Sequence, residues 1–269
     1  MIRICVAGAT GRMGKALISE ALNKGFEIVG ALASTQNPNI GRTLRELGIC
    51  NLELPLYSPL RLKEALERAD VYVSFTTPEA ELRNIPEVVD LNKRIVMGTT
   101  GFTEEQLSGL KTLVSSRVPA VFASNFSLGL NLGLKMLRSL AYLPEGYEIS
   151  VVEAHHSGKK DAPSGTAVSI ANLISSLRGY SKIVHGRRGF SQRTREELEV
   201  LSVRAGGLPG IHEVIIAGPH EMITLQHISF SRSAFVTGAL KAVEWIMKQS
   251  RPGVYSAEDV LDQIIGKAE

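Results

Sequence analysis

A buried strand that runs straight into a glycine-rich turn is the feature that most limits the possible folds of this chain. Residues 1–7 form a short apolar run, and Gly8, Gly11 and Gly14 follow it at the spacing G-x-x-G-x-x-G. Apolar residues then recur at helical spacing: Met13, Leu17, Ile18, Ala21 and Leu22. Glycine permits a tight strand-to-helix turn and lets a pyrophosphate approach the N–H groups at the helix start. A purely structural turn is the alternative, but the position directly after the first strand favours dinucleotide binding.

The end of the second predicted strand bears on the choice of dinucleotide. Residues 27–32 form this strand, and Ala33, Ser34 and Thr35 follow it without any carboxylate. An Asp or Glu at this place usually holds the ribose hydroxyls of NAD. Small residues leave room for a 2′-phosphate, with Arg12 and Arg42 as candidate counter-charges. The sequence therefore favours NADPH, or both NADPH and NADH; the alternative is that another residue holds the ribose of NADH.

Further strand and helix patterns alternate along the first half of the chain. Strands are predicted at 71–75, 94–97 and 119–123, with helices between them, including one at 60–68 and one that Pro86 breaks or kinks. Thr103 to Gln106 fits a capping box. Repeated strand–helix alternation predicts a doubly wound parallel sheet. The turn Gly98–Gly101 is either a tight connection or a floor for the nicotinamide ribose and carboxamide.

The second half changes character. A long apolar helix at 128–143, expected to be buried, precedes a strand at 147–152 and a helix at 167–177. Three consecutive strand patterns without helices follow, at 199–204, 213–217 and 222–230, and then two helices at 233–249 and 256–265. The chain is therefore predicted to be α/β. A Rossmann-like domain comprises 1–126 and 233–269, and a smaller α+β domain with a mixed, largely antiparallel sheet comprises 127–232.

Composition narrows the class of protein. Hydrophobic residues make up 44% and charged residues 21%, and the formal net charge is +3. This balance gives no support for a nucleic-acid-binding protein. There are two cysteines, one in a predicted buried strand, and neither a signal peptide nor a membrane-spanning run is recognisable. We expect a cytoplasmic protein with no nucleic-acid or membrane partner.

The loop at residues 153–166 gathers groups suited to acid–base chemistry and anion binding. It reads Glu-Ala-His-His-Ser-Gly-Lys-Lys-Asp-Ala-Pro-Ser-Gly-Thr and lies between a strand and a helix. Histidine titrates near neutral pH, and a lysine offers a cation that attracts carboxylates. Ser164, Gly165 and Thr166 stand at the helix start, where N–H groups and the helix dipole favour a carboxylate. The pattern predicts a site for a dicarboxylate.

Several residues in this half allow a second interpretation. Adjacent histidines can bind a metal, but no cysteine or further histidine lies nearby in the sequence, and neighbours at a strand end point apart. No metal site is therefore predicted. Asp161 either caps the turn or orients Lys159 or Lys160, and Lys160 is equally well a solvated charge. The basic segment 186–195 is interpreted as a solvated loop rather than a phosphate site. The remaining histidines are interpreted as surface or structural residues: His185, His212, His220 and His227.

Four motifs, in this order along nearly the whole chain, resemble the 4-hydroxy-tetrahydrodipicolinate (dihydrodipicolinate) reductase family of the diaminopimelate route to lysine. They are Gly-Ala-x-Gly-Arg-Met-Gly, Gly-Thr-Thr-Gly-Phe, Asn-Phe-Ser and Glu-Ala-His-His-x-x-Lys-x-Asp-Ala-Pro-Ser-Gly-Thr-Ala. The resemblance implies reduction of the hydroxylated tetrahydrodipicolinate to tetrahydrodipicolinate with NADPH or NADH. It also implies a homotetramer built through the sheet of the second domain.

The resemblance assigns roles by position. His155 matches the family's proton donor and acceptor, and Lys159 its catalytic lysine. Contacts to the substrate carboxylates are implied for His156, Ser164, Gly165 and Thr166. Cofactor contacts are implied for Gly8, Ala9, Thr10, Gly11, Arg12, Met13, Ser34, Gly98, Thr99, Thr100, Ala123, Ser124, Asn125, Phe126 and the hinge residue Arg232. The chain departs from some members at Ala33, where they have an acid, and at Thr77, where they have arginine.

Two other functions are consistent with the same residues. One is a different NADP-dependent reductase that acts on another imine or keto dicarboxylate. The other is a nucleotide-sensing protein that binds the cofactor without chemistry. The reductase hypothesis predicts that reduced cofactor is oxidised only when the hydroxylated substrate is present.

Overall fold

The computed structural model describes residues 1–266, and of Ile265 only the backbone. The described chain divides into two compact units. The first comprises Met1–Leu128 and the segment from Arg232 onward, and the second comprises Gly129–Ser231. The last three residues of the predicted range 233–269 lie outside the described residues. No helix within residues 1–266 is long and apolar enough to cross a bilayer.

The first unit contains a six-stranded parallel sheet with the order β11-β5-β4-β3-β1-β2. Its strands are β1 (Arg3–Ala7), β2 (Glu27–Leu32), β3 (Val71–Ser74), β4 (Arg94–Met97), β5 (Pro119–Phe122) and β11 (Gly253–Tyr255). The strand order reverses beside β1, because the chain goes from β1 to β2 on one side and to β3 on the other. Ligands of such sheets bind at the carboxyl ends of the strands near this reversal.

Helices cover both faces of this sheet. They are α1 (Arg12–Asn23), α2 (Leu62–Leu66), α3 (Pro78–Asp90), α4 (Glu104–Ser115), α7 (Ser233–Ile246) and α8 (Ala257–Ile265). Along β1, Ile4 and Val6 pack in the apolar layer with α1 and α7, whereas Cys5 and Ala7 pack with α2, α3 and α4. Full burial of such aliphatic side chains stabilises the fold by about 1.5–3 kcal/mol each. The predicted Rossmann-like architecture is confirmed.

The second unit has a five-stranded sheet with the order β10-β9-β6-β8-β7. Its strands are β6 (Glu148–His155), β7 (Lys182–Val184), β8 (Glu197–Arg204), β9 (Ile211–Ala217) and β10 (Met222–Ile228). Helices α5 (Leu128–Leu137) and α6 (Gly165–Arg178) pack on one face of it. The mixed sheet is confirmed, but two of its four pairings are parallel, so its antiparallel share is smaller than predicted. Both parallel pairings involve β8, which lies between β6 and β7 and does not pair with β9, its successor in the chain.

Some local predictions need correction. The long apolar helix ends at Leu137 and continues as a 3-10 helix over Arg138–Tyr142, and its residues Leu132 and Met136 are exposed. Pro86 does not break α3, which runs from Pro78 to Asp90. Strands β7 and β11 are three residues long and were not predicted, because such short runs carry no clear period. The predicted capping box at Thr103 is confirmed, and Ser256 caps α8 with a second capping box.

Candidate active site

In the glycine turn after β1, Gly8 packs against the backbone at Phe75, and Gly14 packs against the backbone at Gly8. Gly8 has a φ of +78°, and a Cβ placed there would lie 2.4 Å from the carbonyl oxygen of Phe75. A Cβ at Gly14 would lie 2.1 Å from the carbonyl oxygen of Gly8. Helix α1 therefore starts directly on the strand end, capped by Gly11 without a side-chain hydrogen bond and without an acidic residue in its first turn. Its first N–H groups and its dipole favour an anion here.

A cavity of about 450 Å³ lies at the ends of β1, β2 and β3. Gly8, Thr10 and Gly11 line it together with Ser34. Ala9 is buried beneath this turn, Met13 is half-buried and Arg12 is exposed. The structure thus brings the predicted pyrophosphate and ribose residues to one edge of the sheet.

The charged groups around this cavity differ from those expected. Arg42 donates to Asn39 Oδ1 at 3.2 Å and to the carbonyl oxygen of Glu46 at 3.1 Å, so its guanidinium is held within its own loop. Arg83 of α3 lines the cavity instead. Asn37 also lines it and donates to Thr10 Oγ1 at 3.1 Å, which ties the loop after β2 to the glycine turn. Sequence reasoning missed both residues, because they lie far from the glycine motif along the chain.

A second cavity of about 260 Å³ lies at the ends of β4 and β5. The predicted residues Thr99, Thr100, Ala123 and Ser124 line it. Gly98 lies under this edge, where a Cβ would approach the Phe75 ring to 2.1 Å, so no other residue fits without displacing the ring.

The remaining residues of interest lie at three places: Asn125 and Phe126 follow β5, Thr77 follows β3, and Arg232 precedes α7. Phe126 is buried and meets Phe75 edge to face, with ring centroids 6.0 Å apart. Asn125 Oδ1 accepts from the N–H of Ser127 at 2.8 Å. Thr77 caps α3 by accepting from the N–H of Ala80. Arg232 stands at the N-cap of α7, where its carbonyl oxygen accepts from the N–H groups of Phe235 and Val236.

In the second unit, Glu153 is the centre of the loop that begins at β6. Ile149, Val151 and Glu153 alternate along one face of β6 and are 0% exposed, so this carboxylate ends a buried apolar row. Arg204 donates to both carboxylate oxygens, at 2.8 and 2.7 Å. His155 Nδ1 lies 2.5 Å from Oε2, and the N–H of Ser164 donates to Oε1 at 3.1 Å.

The charge state of Glu153 follows from these partners. Burial works to raise the pKa of this carboxyl, but the hydrogen bonds, led by those from Arg204, lower the pKa to about 2. Glu153 is therefore an anion at neutral pH. An anion at His155 Nδ1 fixes a proton on that nitrogen and leaves Nε2 for exchange with a ligand.

His212 is a neighbour of His155 that sequence reasoning interpreted as surface or structural. It lies opposite Glu153 in the β6–β9 pairing, and its ring centroid is 5.2 Å from that of His155. Its Nε2 is 3.0 Å from Ser164 Oγ. Burial, together with the charges of His155 and His227, lowers the pKa of His212 to about 4, so this ring is neutral at neutral pH. The signal was the alternation of His212, Val214 and Ile216 on the buried face of β9.

Helix α6 opens with an exposed glycine, followed by the half-buried Thr166. Ser164 is its N-cap and accepts from the N–H of Ala167, and with 2% exposure its polar atoms serve the interior. Gly165 is exposed, and no atom lies within 4 Å of the place where its Cβ would stand. Gly165 is the first residue of α6, and the N–H groups of a first helical turn have no acceptor within the helix. Ser164 thus fixes this turn, and Gly165 lies on its exposed side.

The structure shows which of the two neighbouring lysines Asp161 contacts. Lys159 Nζ donates to both oxygens of Asp161, at 2.9 and 3.0 Å, and this hydrogen bond holds the pKa of Asp161 below its usual value. The carbonyl oxygen of Asp161 accepts from Arg204 at 2.6 Å. Asp161 therefore orients Lys159, whereas Lys160 is exposed. His156 is half-buried and turned toward Gly158.

The basic segment 186–195, interpreted from the sequence as a solvated loop, is only partly solvated. Arg187 forms an ion pair with Glu197 at 2.5 Å, and Arg193 donates to Ser150 Oγ and to two backbone carbonyl groups. Only Arg188 and Arg195 among its arginines are exposed. The half-buried Arg187 and Arg193 bind this segment to the sheet of the second unit.

Comparison with known proteins covers both units. The model of the dihydrodipicolinate reductase N-terminus matches residues 2–126, and that of the C-terminus matches residues 129–261. The 4-hydroxy-tetrahydrodipicolinate reductase of Trichlorobacter lovleyi is 39% identical over 267 residues, which covers 97% of this chain and 99% of that protein. The corresponding reductase of Methanosarcina barkeri is 36% identical over 263 residues, with the same coverage.

A solved structure agrees with these relatives. The dipicolinate-bound dihydrodipicolinate reductase from Paenisporosarcina sp. TG-14 superposes with a TM-score of 0.75 at 27% identity, and the match covers 96% of this chain and 99% of that one. Fold, motifs and relatives agree over nearly the full length. The chain belongs to the dihydrodipicolinate reductase family.

Proposed function

We propose that this protein reduces 4-hydroxy-tetrahydrodipicolinate to tetrahydrodipicolinate with a nicotinamide cofactor, in the diaminopimelate route to lysine. The observation that carries the proposal is the cluster on β6 and α6. It joins a carboxylate-bound histidine, an oriented lysine and the start of a helix within one segment of a chain that belongs to this family. A dicarboxylate that must gain a proton during reduction requires these groups.

The first unit fits the cofactor. The close approach at Gly8 and Gly14 leaves bare backbone where a pyrophosphate binds, and the residues after β2, β4 and β5 line cavities at the same sheet edge. Gly8 to Met13 and Ser34 would hold the adenosine half, and Gly98 to Thr100 and Ala123 to Phe126 the nicotinamide half. When bound, the cofactor supplies a hydride. Arg232, at the start of α7, would adjust the backbone as the cofactor binds.

The preferred cofactor is proposed to be NADPH, with NADH also accepted. The residues that line the cavity just beyond β2, Ala33 to Asn37, include no carboxylate that would repel a 2′-phosphate. Arg83 at the same cavity and Arg12 at the start of α1 are the cations available to attract one. The acidic residue that lines this cavity, Glu79, lies on α3 and not in the segment after β2.

The second unit donates the proton for the reduction and binds the carboxylates of the substrate. His155 donates a proton from Nε2, and Glu153 stabilises the charged imidazole through Nδ1. Lys159 attracts a substrate carboxylate, which takes the place of Asp161 at Nζ. The N–H groups of Gly165 and Thr166, with His156, bind the other carboxylate. The substrate loses its hydroxyl group as water to give the cyclic imine, and His155 provides the proton that accompanies reduction.

The assembly is proposed to be a homotetramer formed through the sheet of the second unit. Strand β10 is an edge strand, and Met222 and Ile223 are 64% and 54% exposed on it. Exposed apolar edge strands favour pairing with another chain. Light scattering on a sizing column should give about four times the mass of 29.1 kDa. A monomeric mass would rule the assembly out.

The cytoplasm is the proposed location, in keeping with the two free cysteines.

The assay that tests the reaction uses purified protein with NADPH and, separately, NADH. Substrate is generated in place by the aldolase that makes the hydroxylated compound. Loss of cofactor absorbance is expected only with substrate, and at a higher kcat/KM with NADPH. A panel of other imine and keto dicarboxylates should react far more slowly. The absence of turnover with both cofactors would contradict the proposal.

A further inference from the structure

Glu81 is a buried carboxylate inside the first unit, on helix α3, and the proposed function does not use it. Its exposure is 0%. The donors that reach it are hydroxyl groups: Thr76 Oγ1 at 2.5 Å and Thr99 Oγ1 at 2.8 Å, both to Oε1, and the Tyr72 hydroxyl at 3.3 Å to Oε2. Burial raises the pKa of Glu81. A buried carboxyl held by hydroxyl groups is costly, and an apolar residue of similar size often gives equal or better stability.

The hydrogen bonds around Glu81 run in one direction and end on its carboxylate. The N–H of Thr76 donates to Thr99 Oγ1 at 2.9 Å, and that hydroxyl donates to Glu81. On the other side, Asn84 Nδ2 donates to the Tyr72 hydroxyl at 3.2 Å, and that hydroxyl donates to Glu81. A group that accepts at both of its oxygens is needed to end both chains, and a carboxylate meets this need.

Thr76 and Thr99 lie at the two strand ends where ligand cavities open. Thr76 follows β3 and lines the cavity of about 450 Å³. Thr99 follows β4 and lines the cavity of about 260 Å³. Glu81 lines neither cavity, yet it receives a hydrogen bond from a residue of each. The carboxylate of Glu81 therefore links the end of β3 to the end of β4 through hydrogen bonds.

We propose that Glu81 is a positioning residue for cofactor binding, which holds the ends of β3 and β4 at the spacing that both halves of a dinucleotide need. This inference rests on the proposed use of a nicotinamide cofactor. Glu81 does not touch the cofactor; it fixes the backbone of Thr76 and the side chain of Thr99. Without its two acceptor oxygens, these groups turn to other partners, and the two cavities no longer fit one ligand.

The first experiment measures cofactor binding without substrate. NADPH is titrated into wild-type protein and into Glu81→Gln, and the fluorescence of the reduced nicotinamide reports binding. Glutamine keeps the size of the side chain but replaces one acceptor oxygen with an amide N–H donor. We expect the Kd to rise about tenfold. Glu87→Gln, which changes an exposed carboxylate on the same helix, is the matched control and should leave the Kd unchanged.

Two readouts separate positioning from a general loss of stability. At saturating NADPH, Glu81→Gln should keep a kcat within about twofold of wild type, while its KM for NADPH rises and its KM for the dicarboxylate does not. Tyr72→Phe removes one donor to Glu81 at a buried position that lines neither cavity, and should raise the Kd by a smaller factor. In the double variant the two effects should not multiply, because both act through one carboxylate.

A folded Glu81→Gln protein with a Kd within twofold of wild type would overturn the proposal. If Glu81→Gln does not fold, Tyr72→Phe decides: a Kd equal to that of wild type overturns the proposal. These outcomes are separate from failure of the proposed reaction. A protein that binds NADPH in a Glu81-dependent way but turns over no dicarboxylate would keep the positioning role and remove the reductase assignment.

Discussion

Glu153 is the residue on which the hydrogen bonds of the second unit converge. It accepts from a guanidinium, from a helix N-cap and from the histidine proposed to move the proton. Such a carboxylate sets the tautomer of the histidine and stabilises its charged form, which is how a buried acid supports general acid catalysis without touching the substrate. At the residue scale, the proposed function therefore depends on a buried group that acts through His155.

The first prediction removes the charge of Glu153. Glu153→Gln should lower kcat about a hundredfold or more, because the amide cannot stabilise a protonated His155, and the KM for the dicarboxylate should change less. Glu148→Gln, a change of an exposed carboxylate at the other end of β6, should leave kcat unchanged. Steady-state kinetics on both variants checks this. A folded Glu153→Gln enzyme with a kcat within twofold of wild type would contradict it.

The second prediction concerns the pH dependence of stability at His212. Burial lowers its folded-state pKa to about 4, below the ordinary value of 6.5. The unfolded chain therefore binds a proton first as the pH falls. The stability that neutral His212 provides is complete above pH 6.5 and is lost as the pH falls toward 4. The loss amounts to at most about 3 kcal/mol, at 1.36 kcal/mol per pKa unit.

His212→Gln keeps a polar partner for Ser164 but does not titrate. Urea unfolding between pH 7.5 and 4 should therefore show a smaller fall in the free energy of unfolding for this variant than for wild type. Titrating groups far from His212 behave alike in both proteins, so their contribution cancels in the comparison. Curves that stay parallel through this pH range would mean that His212 does not carry the effect.

Glycines at the start of α1 determine whether that helix can begin directly on its strand. Gly14 faces the carbonyl oxygen of Gly8, so a side chain at this position would push the whole start of α1 away from the strand end. Gly14→Ala should raise the Kd for NADPH more than tenfold and should lower the free energy of unfolding by about 1–3 kcal/mol, as overpacking does. Titration and chemical unfolding measure the two effects.

Gly109→Ala is the matched control, since Gly109 lies inside α4 with no atom within 4 Å of its Cβ position. Alanine has the higher helix propensity, so this variant should be as stable as wild type or more stable by up to about 1 kcal/mol. Equal effects of the two substitutions would show that steric contact at Gly14 is not the cause.

Elements with a strong local signal could be predicted from the sequence, and elements that depend on partners could not. The turn at Gly8, the capping box at Thr103 and the cap at Ser256 are encoded within a few residues. The long apolar run from Leu128 indicated a buried helix, yet apolar content does not show which face meets a partner. Strand β8 pairs with β6 rather than with β9, the next strand along the chain, and the residue pattern of a single strand does not encode its partner.

At the scale of the whole molecule, the order of motifs gave the fold and the proposed chemistry, but buried polar partners were missed. Arg204 reaches Glu153 from 51 positions away, and Thr99 reaches Glu81 from 18. Such pairs depend on strand register and helix placement, which no local pattern encodes. One signal in the sequence could have found part of this network. Polar and apolar residues alternate at buried positions, Val151 with Glu153 on β6 and His212 with Val214 on β9.

The most direct test of the central claim follows the hydrogen itself. NADPH carrying deuterium at the transferred position of the nicotinamide is incubated with the protein and freshly generated 4-hydroxy-tetrahydrodipicolinate, and the product is examined by mass spectrometry. The account predicts tetrahydrodipicolinate with one deuterium per molecule, and a strongly reduced yield with Glu153→Gln. Consumption of cofactor without deuterium in that product, or no product at all, would contradict it.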